Sequence, residues 1–284
     1  MRLPDGRKLG CLQVGRADGF PVFHFHGNGS SRFEILLLAD LADAAGARLI
    51  GLDRPGIGDS DPAPGHGLAH WPADVVAVAD QLALDRFAIQ GVSAGGAYAL
   101  VCAQAIGDRL TGCALVSTIC PPELIRQAAP GWMRAVWWAG NHHPELLDRG
   151  LRALMPDCPP DEPNTEQRLL RIGAWLSATD QEVLRRPLIR AALVRAMMES
   201  RRQGAAANRQ EILALMRSWN LSLGQLALRN VSLWHGGLDR LTPIGPARLL
   251  ARTLPHCTAT FYPGEGHFST FANHAREVLR ALCV

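Results

Sequence analysis

The chain of 284 residues has one lysine, Lys8, no run of like charge and no long hydrophobic stretch. Its 29 Lys and Arg against 26 Asp and Glu leave a formal charge of only +3. The basic residues are scattered, so the clustered footprint of a nucleic-acid binder is missing and no polyanionic partner is expected. Without the roughly 20 uninterrupted apolar residues that span a bilayer, no membrane span is expected either. The seven cysteines, Cys11, Cys102, Cys113, Cys120, Cys158, Cys257 and Cys283, are odd in number and lack paired metal spacing, which disfavours a disulfide scaffold or a zinc module. Met1 runs directly into Leu3-Pro4-Asp5-Gly6 rather than an apolar leader, so a soluble protein in a reducing, cytoplasmic setting is the expectation. No repeat or low-complexity tract is present, and nothing calls for a metal or an organic cofactor.

What is there is a core-former's composition, 48% hydrophobic and 19% charged, in a chain long enough for one large domain or for one domain plus an insertion. Short apolar runs rich in β-branched and aromatic residues alternate with helical patterns, the order of a mostly parallel sheet covered by helices. Pro21 to Phe25 reads as a strand ending in His26-Gly27-Asn28-Gly29, followed by a Ser31/Glu34 capping box and a helix through Ala45. Arg48 to Leu52 is the next strand; after a Pro/Gly-rich loop, Trp71-Pro72 opens a helix through about Leu84. Phe87 to Val92 is a strand, Gly95 to Gln104 a helix, and Thr111 to Ile119 a further apolar strand. From Pro121 to about Arg229 the pattern is helical, with breaks at Pro130-Gly131, Pro144, Pro156 to Pro163 and Gly204. Val231 to Trp234 and Thr258 to Tyr262 resume the strands, Thr242-Pro243 starts a helix, and another runs from about Phe271. The expected organisation is therefore a core of residues 1–120 and 230–284 interrupted by a helical cap of residues 121–229.

Gly91-Val92-Ser93-Ala94-Gly95 is a G-x-S-x-G, weak alone in a chain with 28 glycines but strong between an apolar strand and a helix. A serine on that sharp turn is presented above the sheet's carboxyl edge, beside the positive end of the next helix. With the His26-Gly27 loop, the Asp53 to Ser60 loop, Asp239 and His267, it resembles the α/β-hydrolase superfamily across essentially the whole chain. That resemblance implies an eight-stranded, mostly parallel sheet, a helical lid, and a triad in the order serine, acid, histidine.

On that resemblance Ser93 is the nucleophile. Asp239, in Leu233 to Pro243, stands in the acid loop, and His267, in Gly264-Glu265-Gly266-His267-Phe268, in the base loop. Asp239 could also be a simple turn residue, and Glu123 is its nearby rival. His26, His235, His142 and His143 lack comparable context. The backbone N–H groups of Asn28 and Ala94 take the oxyanion-hole positions, and the Asn28 amide is a further candidate substrate contact. His26-Gly27-Asn28-Gly29 departs from both the HGGG esterases and the HGGPG iminopeptidases. The Asp53 to Ser60 loop, similar to the family's D-x-x-G-x-G-x-S, reads as structural. Haloalkane dehalogenases and epoxide hydrolases carry aspartate where Ser93 stands, so their chemistry does not fit.

Five tryptophans, Trp132, Trp137, Trp138, Trp175 and Trp219, fall in the expected cap. They favour a small-molecule substrate with an apolar part, or they simply pack the cap. Arg126, Arg134 and Arg149 could meet a carboxylate or lie on the surface. The expected activity is hydrolysis of a small or medium, mainly apolar carboxylic ester. A lactonase, a carbon–carbon bond hydrolase or a perhydrolase would share the triad, and a non-catalytic ligand-binding member of the fold is the alternative from another class. Homo-oligomerisation is left open.

Overall fold

The apolar runs become strands in the computed structural model, which describes residues 1–157 and 161–283; Cys158 and part of the Pro156 to Pro163 break lie outside them. In chain order the strands are β1 (Cys11–Gly15), β2 (Phe20–Phe25), β3 (Ala47–Leu52), β4 (Phe87–Val92), β5 (Leu110–Val116), β6 (Val231–Gly236) and β7 (Cys257–Tyr262). They form one sheet in the order β1-β3-β2-β4-β5-β6-β7. Only β1 runs antiparallel to its neighbour. Every residue of β4 is buried, as expected of a central parallel strand covered on both faces.

The sheet has seven strands among the described residues, not the eight expected. Residues ahead of β1 make a single antiparallel bridge, Arg2 with Lys8. Pro4-Asp5-Gly6 turns the chain too soon for a longer ladder: Gly6 sits at φ +89°, and its N–H bonds Leu3 O at 2.9 Å.

Helices α1 (Ala39–Ala44), α2 (Trp71–Gln81) and α3 (Gly95–Ala105) lie in the first half. Alternation along the strands divides the core between the faces. Phe23, Phe25, Ile50 and Ile89 pack with Trp71, Val75 and the α3 residues, while Val22, Leu49 and Ala88 face Ala42 on α1 and the C-terminal helix. The stretch after β2 departs from one continuous helix: Arg32–Leu38 is a 3-10 helix that hands over to α1. Only half of the expected capping box forms. Ser31 Oγ accepts from Phe33 N at 3.3 Å, but Glu34 turns inward, with consequences for the site.

Between β5 and β6 the described residues contain no strand. They hold α4 (Pro122–Ala128), α5 (Gly131–His142), α6 (Pro144–Leu154), α7 (Glu162–Trp175), α8 (Ala178–Arg185), α9 (Pro187–Ser200) and α10 (Ala206–Leu215). Leu169, Leu176, Leu184, Leu193 and Val194 give this insertion its own small core, against which Leu37, Leu241 and Phe268 pack. Helices α11 (Ile244–Thr253) and α12 (His267–Leu282) complete the chain. Among the described residues no helix is long and apolar enough to cross a membrane.

Candidate active site

Ser93 stands between β4 and α3 at φ +54°, a left-handed conformation that costs a residue with a side chain and persists only when its surroundings impose it. Here the Ser93 N–H donates to Val116 O at 3.0 Å, and the Ser93 carbonyl accepts from Gly96 N at 3.1 Å and Ile119 N at 3.0 Å. The flanking glycines are required by close approach. A Cβ on Gly95 would overlap Phe25 O, one on Gly91 would overlap Gly95 O, and one on Gly96 would overlap Thr118 Oγ1.

Asp239 lies in the loop after β6, and His267 is the first residue of α12, four positions ahead of the expected helix start. The loops bring them together: His267 Nδ1 lies 2.8 Å from Asp239 Oδ2. A carboxylate can only accept, so Nδ1 carries the proton and Nε2 is the atom left for chemistry. Asp239 Oδ1 accepts from Leu241 N at 2.9 Å and Thr242 N at 2.8 Å, and Oδ2 also accepts from Thr242 Oγ1 at 2.7 Å. Burial works against the Asp239 carboxylate, but His267 and these donors outweigh it and hold its pKa below the usual aspartate value. Burial likewise works against the His267 imidazolium, yet the Asp239 carboxylate raises its pKa above the ordinary histidine value.

Ser117 ties His267 to the sheet, its N–H donating to Trp234 O at 2.9 Å and its hydroxyl to His267 O at 3.1 Å. Among the described residues no hydrogen bond joins Ser93 Oγ to His267; such bonds are often long in unliganded sites.

The oxyanion-hole candidates flank Ser93. A Cβ added to Gly27 would sit 3.5 Å from Ser93 Cβ, so the His26 to Gly29 loop packs directly on the elbow. Among the described residues neither the Asn28 nor the Ala94 N–H has a backbone or side-chain acceptor, which leaves both donors available. The Asn28 side chain is committed elsewhere, with Nδ2 donating to Asn208 O at 3.0 Å and Glu211 Oε2 at 2.7 Å. The Gly29 N–H donates to Asn208 Oδ1 at 3.1 Å, and Ser200 Oγ donates to Gly29 O at 3.0 Å.

Three carboxylates at this site carry no short motif that would announce the role. Glu34, spaced like a capping residue, instead lies 3.0 Å from His24 Nε2 and accepts from Gly27 N at 3.3 Å, which makes it a buried prop beneath the His26 to Gly29 loop. Glu211, on α10, binds Asn28 and the buried guanidinium of Arg54. Arg54 in turn donates to His26 O at 2.7 Å. Asp180, on α8, is fully buried and accepts from the backbone N–H groups of His267 and Ser269.

The remaining candidates separate in space. Glu123 is half-exposed on α4, 3.9 Å from Arg126, and has no part in holding His267. His235 is buried and pushed below the ordinary histidine pKa by desolvation, with Nε2 at 2.6 Å from Thr242 O. His26 is held low by burial and by Arg54. His142 and His143 are exposed beside Trp138. In the Asp53 to Ser60 loop, Asp53 accepts from Arg32 N at 2.7 Å and Asp59 N at 3.2 Å, and a Cβ on Gly58 would overlap its carboxylate.

The tryptophans do not form one pocket. Trp132, Trp138 and Trp175 are 53%, 57% and 50% exposed, with Trp132 and Trp175 packed edge to face. Trp219 is buried and bonds Leu215 O at 2.9 Å. Trp137, half-buried, lines a tight apolar space of about 10 Å³ with Met133, Ile119 and Thr242. Arg126, Arg134 and Arg149 are exposed. A larger cavity of about 410 Å³ opens between the Pro62 to Gly67 loop and α10, but Ser93, Asp239 and His267 are not among its lining. It shares Arg54 and Glu211 with the site's support, and their ion pair leaves neither charge free to bind a ligand. Among the described residues no group of three or more His, Cys, Asp or Glu could hold a metal ion.

Comparison with known proteins agrees with this architecture. Residues 21–142 match the family model described as alpha/beta hydrolase fold. Among solved structures, a hydrolase from Pseudomonas aeruginosa PA01 superposes with a TM-score of 0.72 at 18% identity, covering 99% of this chain and 95% of that one. The esterase EaEST from Exiguobacterium antarcticum gives 0.67 at 17% identity, covering 99% and 96%. The enol-lactonase from Burkholderia xenovorans LB400 gives 0.67 at 18% identity, covering 97% of each chain. No curated protein matches by sequence. The chain has the α/β-hydrolase fold, and hydrolases of several kinds share it.

Proposed function

We propose that the protein is a serine hydrolase that cleaves a small or medium, mainly apolar carboxylic ester through an acyl-enzyme on Ser93. The observation that carries this reading is the buried Asp239–His267 bond of 2.8 Å, which points the unprotonated side of the imidazole away from the acid while Ser93 sits on a strained turn between two unoccupied N–H donors. In this mechanism His267 Nε2 takes the Ser93 proton as Oγ attacks the ester carbonyl. Asp239 holds the tautomer and stabilises the imidazolium, and the Asn28 and Ala94 N–H groups receive the oxyanion. His267 returns the proton to the leaving alcohol, then activates water to release the acid.

Residues 121–229 act as the cap in this reading. Met133 and Trp137 face Thr242 across the narrow apolar space, and we place the acyl part of the substrate on that side. Trp137→Ala should shift the kcat/KM preference toward longer acyl chains by about tenfold, the scale of a methylene or two in an apolar pocket; an unchanged chain-length profile would remove Trp137 from the substrate site. The six cysteines among the described residues are all free thiols, which supports the cytoplasmic setting.

The deciding experiment is intact-mass analysis after treatment with a fluorophosphonate probe. One adduct on the native protein and none on Ser93→Ala is the expected result; no adduct on either would favour a ligand-binding protein. A panel of aryl esters and lactones then separates an esterase from a lactonase, since the two share every residue named above.

A further inference from the structure

We infer that Asp180, on α8 of the insertion, is a positioning residue for His267, so that the base is mounted on the insertion as well as on the core. The inference rests on the assignment of Ser93, Asp239 and His267 made above. Both oxygens of the Asp180 carboxylate are spent on the start of α12. Oδ2 accepts from the His267 N–H at 3.0 Å and Oδ1 from the Ser269 N–H at 2.9 Å.

The first N–H groups of a helix have no partner within it and normally take one from the capping residue's side chain. The residue at that place in α12 is Gly266, which has no side chain, and a Cβ there would overlap both Asp180 Oδ2 and Ser177 Oγ. The glycine therefore leaves room for a carboxylate supplied from 87 residues earlier. Asp180 is itself fixed. Its N–H donates to Ser177 Oγ at 3.2 Å, and Thr179 Oγ1 next to it donates to Gly264 O at 3.0 Å in the base loop.

Two anchors thus set the imidazole. Asp239 fixes Nδ1, and Asp180 fixes the backbone from which the ring swings, which together decide where Nε2 meets Ser93. The groups bearing on the ring are Asp239 and His235 from β6 and its loop, Asp180 from α8, and Glu34 from the 3-10 helix, itself paired with His24 of β2. After burial, which disfavours the imidazolium, and Asp239, which favours it, Asp180 and Glu34 both raise the His267 pKa. Substrate entry must accordingly leave α8 in place, because lifting it would release the base.

The test compares the rate of fluorophosphonate labelling against pH for native protein, Asp180→Ala, Asp180→Asn and Asp180→Glu, with circular dichroism to establish folding. Asp180→Ala should label roughly 100-fold more slowly, the cost of a displacement of about 1 Å in a catalytic group. Its acidic limb should move to lower pH because a nearby negative charge is gone, and Asp180→Glu should recover part of the rate. If Asp180→Ala does not fold, Asp180→Asn reads the same limb. A native-like rate and limb in the folded variants overturns the inference alone, as does a slower rate with an unmoved limb and no rescue by glutamate. Failure of the native protein to label overturns the hydrolase reading and this inference with it.

Discussion

His267 receives opposing influences, and their balance has a sign that kinetics can read. The proposed base must be neutral to accept a proton from Ser93, and its pKa is raised above the ordinary value by Asp239 against the effect of burial. Activity should therefore fail from a higher pH than an ordinary histidine would allow: the acidic limb of kcat/KM for an ester should lie above the reference value of about 6.5. A limb at or below that value would contradict the arrangement. Asp239→Asn keeps the shape but lets Nδ1 face a donor, and kcat should fall by about 10⁴-fold, measured on whichever ester the native protein turns over. Ser93, Asp239 and His267 were legible as candidates because each sits in a short segment whose strand, turn and helix signals are local. Asp180 and Glu211 were not, since their partners lie 87 and 183 positions away and no local spacing announces such a bond. Glu34 shows the intermediate case. Its spacing from Ser31 is that of a capping box, but a buried histidine and the Gly27 N–H compete for the carboxylate and win.

The passage from β4 into α3 depends on glycine at Gly91, Gly95 and Gly96. Gly95→Ala would drive a methyl group into Phe25 O, a backbone atom of the central sheet that cannot move aside. We expect a loss of about 3 kcal/mol or more, at the upper end of overpacking costs, read as a fall in the urea midpoint or as failure to obtain soluble protein. Gly131→Ala is the control: its Cβ would meet nothing within 4 Å at the start of α5, and replacing a helical glycine should stabilise by about 0.5–1 kcal/mol. Equal effects at the two positions would refute the steric argument. At this scale the strands were readable from apolar runs, but two boundaries were not. The eighth strand was expected from the resemblance alone, and the tight turn at Gly6 allows one bridge instead. The sequence places the start of α12 at about Phe271, since the segment before it has little helical character of its own; the helix begins at His267, where Asp180 from another part of the chain accepts from its first N–H groups.

Apolar packing runs from the core into the insertion, and buried polar contacts around the His26 to Gly29 loop join the two as well. Arg32 binds Glu199 of α9 at 2.9 Å, and Arg54 binds Glu211 of α10 while holding His26 O at 2.7 Å. The Arg54 and Glu211 side chains are only 2% and 6% exposed. Removing one partner from so buried a pair leaves an uncompensated charge, whereas replacing both by apolar groups is often neutral. Glu211→Ala should therefore destabilise the protein by about 3–5 kcal/mol, and Arg54→Met with Glu211→Leu should recover most of that loss in the same urea titration. The two variants should part company on labelling of Ser93. Restored packing does not replace the hydrogen bonds that Asn28 Nδ2 donates to Glu211 and Arg54 donates to His26 O, so the double variant should be stable yet slow, its proposed oxyanion loop no longer held against the elbow. A double variant that is both stable and as fast as the native protein would mean that Gly27, Glu34 and Asn208 suffice to hold the loop, and that the ion pair serves only to fasten the insertion down.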